Sequence, residues 1–353
     1  MKGRGSRLAE KGWRALRRTD VFLVLLCLVL CLLMVQRYGG GAGWCELSGE
    51  LPATADTATQ RAESAGEEQP LPPLDLSKPG RPVRFLMYNV ESYFVPGEES
   101  RSRYVNKAKA PAARDAVAEA IASAWPEIVG LIEIGGPRAL ADLRERLEKR
   151  GVSYPHEVLV LRPGEDRALA LLSKHPIARD ASQAQCGLYG QQKQHMLRGI
   201  LDATVDVGDG RLFRIVGVHL KSRVADDPEA AESLRKREAQ TVARYLHQSM
   251  KRQPDMPVLL FGDWNDGPDD ESVQVLRQGI TKESSMVRLK PKDSRGEYWT
   301  IFHRQAQQYY TFDQIYANRV LNKRVGRDVS CGIVDVAEVG KASDHRPLWV
   351  ELE

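Results

Sequence analysis

The sequence predicts an α/β domain with two mixed β-sheets over residues 82–353, preceded by a single N-terminal hydrophobic helix. Three observations carry this. From Pro82 onward, short apolar runs alternate with amphipathic segments, the pattern of strands interleaved with helices. Two adjacent strand patterns, 199–207 and 212–220, are joined through GDG, a hairpin signal, so the sheets are not purely parallel. Ahead of all this, one uncharged apolar run follows a basic tail.

That tail, residues 1–20, holds seven basic and two acidic groups. The run behind it, VFLVLLCLVLCLLMV (Val21–Val35), has no charge over fifteen residues. As a helix it spans about 22 Å against a ~30 Å hydrocarbon core, so flanking residues must snorkel or the bilayer must thin. A basic flank, an apolar core and the small residues GGGAG are also the layout of a signal peptide. We expect an uncleaved anchor over 21–36, with a cleaved signal as the alternative. Either way the basic tail stays in the cytoplasm. The product is a single-pass membrane protein with its C-terminal domain outside the cytoplasm, or a secreted or periplasmic one. Residues 37–81 read as a flexible stalk, rich in Ala, Thr, Glu, Gln and Pro.

Within the domain, strands are expected at Val83–Asn89, Ile128–Ile134, Glu157–Leu161, Leu169–Leu172, Gly199–Val207, Leu212–Leu220, Val258–Phe261, Tyr310–Tyr316 and Leu348–Leu352. Helices are expected at 111–124, 137–149, 228–250 and 271–278. The third has a clear start, with Asp227 as cap, Pro228 at the first helical position and Glu229 in the first turn.

An apolar fraction of 42% and a charged fraction of 28% suit a globular protein. The net charge of +4 comes from the tail, since the other 333 residues hold 44 basic and 45 acidic groups. Bulk charge therefore gives no case for nucleic acid, and any basic surface is a local patch. Of five cysteines, Cys27 and Cys31 lie in the apolar run. Cys45, Cys186 and Cys331 have no zinc spacing, and export would permit a Cys186–Cys331 disulfide.

Polar residues stand where core strands do not need them. YNVESYF places Asn89 and Glu91 two apart, on one strand face. Glu133 interrupts the apolar IVGLIEIGG, and VHLKSR carries His219, Lys221 and Arg223. FGDWNDG carries Asp263 and Asn265, TFDQIY carries Asp313, and ASDHRP carries Asp344 and His345. Each has a plain explanation taken singly: a turn, a cap, an ion pair, a hydrogen-bonded histidine. GDWND by itself fits a turn as well as an oxygen-rich loop for a hard cation. Together, several carboxylates near one another demand a cation or donors to offset them.

These motifs, in this order across nearly all of residues 82–353, resemble the endonuclease/exonuclease/phosphatase superfamily with the DNase I-like fold. YNVESYF is similar to the NVEN opening of its bacterial exported nucleases. The resemblance implies a four-layer sandwich of two mixed sheets flanked by helices. It implies that Glu133 is the principal Mg²⁺ ligand (Mn²⁺ possible), assisted by Glu91, Asn89 and Asp344. Asp263 and Asn265 then position or activate water, while His345, oriented by Asp313, and His219 contact phosphate oxygens and move protons. TFDQI departs from the pattern, because many members carry a basic or apolar residue just before the Asp, followed by tyrosine or histidine.

The expected activity is metal-assisted hydrolysis of phosphodiesters, which needs positioning and charge stabilisation. Lys193, Arg198, Lys221 and Arg223 are candidates to grip the phosphates of a DNA or RNA substrate, or form an ordinary solvated face. A phospholipid head group is the alternative substrate, and a catalytically silent binding domain is the alternative of another class. No obligate protein partner is indicated.

Overall fold

The computed structural model describes residue 71 and residues 81–98, 107–304, 306–325, 330–335 and 340–352. The basic tail, the apolar run and nearly all of the stalk lie outside the described residues. Among the described residues no helix is long and apolar enough to cross a membrane. Leu71, within the segment expected as stalk, packs against the domain's third apolar cluster.

Sixteen strands are described. In chain order they begin with β1 (Val83–Tyr93), β2 (Ile128–Ile134), β3 (His156–Val160), β4 (Ala168–Ser173), β5 (Ile177–Asp180), β6 (Gly187–Leu188), β7 (Gln191–His195) and β8 (Leu201–Asp206). They continue with β9 (Leu212–His219), β10 (Val258–Asp263), β11 (Met286–Arg288), β12 (Ile301–His303), β13 (Gln308–Tyr310), β14 (Asp313–Asn318), β15 (Cys331–Ile333) and β16 (Leu348–Leu352). One sheet has the order β15-β16-β1-β2-β4-β3 and the other β11-β14-β10-β9-β8-β5. The pairs β6/β7 and β12/β13 stand apart as hairpins.

Each large sheet has one parallel pair, β1/β2 or β9/β10, with antiparallel neighbours on both sides. The parallel pairs need crossovers, which the helices Pro111–Ser123 and Pro228–Arg252 supply. Both helices, and Pro137–Glu148, begin with proline, whose missing N–H costs nothing there. Asp227 accepts from the Ala230 N–H at 2.9 Å, the expected cap.

Three apolar clusters define the layers. The first joins inward residues of both sheets, among them Phe85, Ile132, Phe213, Phe261 and Ile315. The second lies between the first sheet and helices Pro111–Ser123 and Pro137–Glu148, the third between the second sheet and helices Pro228–Arg252 and Glu271–Gln278. The order is helices, sheet, sheet, helices, the expected four layers. Between the sheets the Phe261 ring fills a notch where both Gly130 and Gly217 lack a side chain. A Cβ at either would lie 2.5 Å from that ring.

Some expectations change. The strand expected at Tyr310–Tyr316 is broken, because Thr300 Oγ1 takes the Asp313 N–H and separates β13 from β14. Gly262 sits inside β10, where its Cβ would meet the Val218 carbonyl oxygen at 2.7 Å. Cys186 and Cys331 are free thiols, the first in the third cluster and the second against the first cluster, so no disulfide joins them.

Candidate active site

The strand ends converge. Asn89 and Glu91 lie near the C-terminal end of β1, Glu133 near that of β2, His219 at that of β9 and Asp263 at that of β10. Antiparallel neighbours add Asp313 at the start of β14, and Asp344 and His345 just before β16. Asp263 pairs in register with His219 on one side and with Asp313 on the other.

Here the backbone leaves the extended region, which is why the two-residue spacing does not put these side chains on one face. Glu91 (φ 47°), Ser92 (51°), Glu133 (64°) and Asn265 (50°) are left-handed. Such positions cost roughly 1–3 kcal/mol each unless their surroundings hold them. The register of β1 against β2 shifts between Asn89 and Tyr93, and that of β2 against β4 at Ile132/Ile134. Side chains hold the irregular backbone. Asn89 Oδ1 accepts from the Glu91 N–H at 3.1 Å, Asp263 Oδ1 from the Asn265 N–H at 2.9 Å, and Glu133 Oε2 from the Ser92 N–H and hydroxyl at 3.0 Å.

Two hydrogen bonds cross between the sheets. Asn89 Nδ2 donates to Asp263 Oδ2 at 2.9 Å, and His345 Nδ1 meets Asp313 Oδ2 at 2.7 Å. The other ring nitrogen, Nε2, lies 3.9 Å from Asp263 Oδ2 and 3.7 Å from Asp344 Oδ1. Burial opposes the His345 charge, but Asp313, Asp344 and Asp263 outweigh it and hold the imidazolium well above its usual range. His219 goes the other way, kept neutral by burial and by Arg198. Burial and the Asp313 charge push Asp263 up to about 7. Burial also works against Glu133, yet the surrounding His219, Arg167, His345 and Arg198 hold its carboxyl well below the usual range.

Asp263, Asp313 and His345 bring ligand-type atoms within 4.8 Å of one another. His345 commits Nδ1 to Asp313, and both Asp263 oxygens accept hydrogen bonds from Asn89 and the Asn265 N–H, so this trio suits proton handling better than a cation. Glu133, Glu91 and Asp344 carry the oxygen donors a hard cation takes, but among the described residues their carboxylate oxygens do not all come within 4.8 Å of one another. Glu91 is pushed up by burial and then by Asp344, a like-charge conflict that a cation relieves. Asp344 Oδ1 is buried without a hydrogen-bond partner among the described residues. Asn89, expected as a further ligand, has its amide tied to Asp263 and to the Glu91 N–H.

The basic residues expected to grip substrate divide. Arg198 is buried, and its Nε and Nη1 lack hydrogen-bond partners among the described residues. Lys221 Nζ donates to its own loop, to the Ser222 and Val224 carbonyls at 3.2 and 3.3 Å. Arg223 clamps the loop after β10, bonding the Asn265 carbonyl at 2.8 Å, Asp266 at 2.8 Å and Asp270 at 2.6 Å. Lys193 lies on β7, in the small hairpin with β6.

The model of the Endonuclease/Exonuclease/phosphatase family matches residues 88–345. The chain belongs to this family. Its members are hydrolases of phosphoester bonds, typically dependent on a divalent metal. No curated protein sequence matches the chain. Solved structures agree in fold. The family protein from Bacteroides vulgatus is 17% identical with a TM-score of 0.57, covering 78% of this chain and 99% of that one. The human Nocturnin catalytic domain with bound sulfate is 16% identical (TM-score 0.54; 77% and 94%). Sphingomyelinase C from Streptomyces griseocarneus is 18% identical (0.51; 78% and 100%). At these identities the likeness speaks for the DNase I-like fold alone.

Four residues at the site are additions to the sequence reading. Lys109 donates to the Glu91 carbonyl at 3.0 Å and lies 3.6 Å from its carboxylate. Arg167 Nε lies 3.4 Å from Glu133 and donates to the Ser92 hydroxyl at 3.1 Å. Ser92 caps the Glu133 carboxylate. Glu238, fully buried on helix Pro228–Arg252, accepts the Leu197 and Lys221 N–H groups at 2.9 and 2.7 Å, fixing the segments that carry Arg198 and Lys221. The first three sit beside polar site residues in loops or a bulge, where no period applies. For Glu238 the only signal is an acid in the stripe Arg235, Glu238, Ala239, Val242 that faces the core.

Proposed function

We propose that this family member is a phosphodiesterase dependent on Mg²⁺ or Mn²⁺ that hydrolyses DNA or RNA by direct attack of water. The observation that carries it is the geometry of His345, whose Nδ1 meets Asp313 Oδ2 at 2.7 Å while its Nε2 faces the buried Asp263 carboxylate at 3.9 Å. Glu133, Glu91 and Asp344 would hold the cation, which supplies charge stabilisation to the phosphate when bound. Asp263 accepts the proton of the attacking water, while Asn89 and the Asn265 N–H fix its two oxygens. Arg198 and the neutral His219 offer donors to the phosphate oxygens. His345 donates its Nε2 proton as the diester oxygen departs. The basic tail and the run Val21–Val35 support an anchored, exported enzyme, tested by a reporter fused after Glu353 that is active only outside the cytoplasm.

The activity test incubates the full chain, in detergent, with Mg²⁺ and single-stranded DNA, RNA or sphingomyelin vesicles. Cleavage of the nucleic acids above the vesicles is expected. Turnover confined to vesicles would give the lipid head group as substrate, and none on any diester would make the domain a silent binder.

A further inference from the structure

Beside the catalytic segment stands an aromatic hairpin that the mechanism does not use. Strands β12 and β13 pair Phe302 with Tyr309, and the Tyr309 ring lies 4.7 Å from Phe302 and 4.8 Å from Trp299 between centroids. Tyr309 is nevertheless 60% exposed, and Tyr298 63%. An exposed cluster of packed rings, unlike a lone surface aromatic, suits a ligand.

The hairpin is fixed to the reacting groups. The Phe302 N–H donates to the Asp344 carbonyl at 3.2 Å, and Ile301 bridges His345. Thr300 accepts the Asp313 N–H on its hydroxyl and the Arg346 N–H on its carbonyl. Arg346, next to His345, lies under the Trp299 ring at 4.2 Å. Phe302 is thus about one strand spacing, and Tyr309 about two or ~10 Å, from the segment bearing Asp344 and His345. A group stacked on this cluster belongs to the unit next to the scissile phosphate.

The geometry points to Tyr309, braced by Trp299 and Phe302, as the stacking platform for a nucleobase flanking the scissile phosphate of a single strand. This rests on the nucleic-acid reading above. A lipid surface is the rival occupant, and the hairpin's own sequence speaks against it. Insertion into a bilayer interface needs an apolar tip, whereas the connection between β12 and β13 reads RQAQ over 304–307. Tyrosine suits a base because its ring stacks while its hydroxyl stays wet. Stacking also requires an unpaired base, so single strands are preferred to duplex.

The test measures steady-state cleavage by the full chain in detergent, wild type against Tyr309→Ala and Tyr309→Phe. Substrates are a single-stranded oligonucleotide, the same strand with an abasic unit beside the cleaved bond, and sphingomyelin vesicles. Tyr309→Ala is expected to raise KM on the intact strand by roughly 5- to 100-fold, and Tyr309→Phe to restore it. The abasic strand should erase the difference between wild type and Tyr309→Ala. Wild-type cleavage of oligonucleotide with KM unaltered in Tyr309→Ala overturns the platform alone. Failure of the wild type to cut any oligonucleotide overturns the substrate reading and the platform with it. A Tyr309→Ala defect seen only on vesicles assigns the hairpin to lipid.

Discussion

Replacing Asp263 by Asn separates a catalytic base from a turn residue. The carboxylate accepts two bonds of 2.9 Å, from the Asn265 N–H and from Asn89 Nδ2. An Asn side chain has one oxygen, so its NH₂ must face one of those donors. Asn89 cannot reverse its amide to help, because its Oδ1 holds the Glu91 N–H at 3.1 Å. One buried bond is lost, at a cost of about 1–3 kcal/mol. An opposing effect comes from the lost charge. The native carboxyl is pushed up to about 7 by burial and by Asp313, above its unfolded value near ~3.9. The native state therefore binds the proton more tightly, and stability falls as pH rises between about 4 and 7. The uncharged amide of Asp263→Asn escapes that loss. With the two effects opposed, and ~2–4 °C in Tm per kcal/mol for a domain of this size, the variant should melt within roughly 10 °C of wild type. Turnover of a labelled oligonucleotide should fall about 10²- to 10⁴-fold. Turnover within a few-fold of wild type, in a variant that melts normally, would refute the base assignment and leave GDWND a turn.

Three further outcomes are expected. Chelation by EDTA should abolish cleavage and Mg²⁺ or Mn²⁺ should restore it, with Glu133→Gln needing at least ~10-fold more metal in the same titration. Asp313→Asn removes the carboxylate that holds the His345 imidazolium, so kcat should drop by roughly 10²-fold or more while circular dichroism stays native. Asp293, buried against Arg346 at 2.8 Å, is opposed by burial but held at about 2 by that guanidinium and by the Glu297 and Arg295 N–H groups. Its contribution to stability is full above about pH 4 and lost as pH falls toward 2. Asp293→Asn should lower Tm at pH 7 and flatten the acid limb of a melting series.

Much of this architecture was legible because β1, β2, β9 and β10 are largely apolar runs buried on both faces, and because proline and Asp227 mark helix starts. The site residues were visible as polar groups interrupting those runs. Their mutual geometry was not. Reading Asn89 with Glu91 as one face assumes extended backbone, and the left-handed turn at Glu91 breaks that assumption. Lys109 and Arg167 come from loops, and Glu238 reaches the site from a helix, so only the folded chain brings them in. The short strands β5, β11 and β15 lie at sheet edges, where three or four residues carry no usable period.

The Phe261 ring, seated between Gly130 and Gly217, has a bearing on the chemistry two residues away. Asn89, Glu133 and His345 ride on one sheet, His219, Asp263 and Asp313 on the other. The reaction centre is thus a joint, and the aromatic wedge sets its gap. Sliding one sheet over the other by ~1 Å would spare the two sheet–helix clusters but shear the inter-sheet one, and a misplacement of that size can cost about 10²-fold in rate. Catalysis in such an enzyme works as a vernier on the alignment of its sheets. Gly130→Ala, whose Cβ would lie 2.5 Å from the Phe261 ring, should therefore lower turnover together with the melting temperature, although it is far from any phosphate.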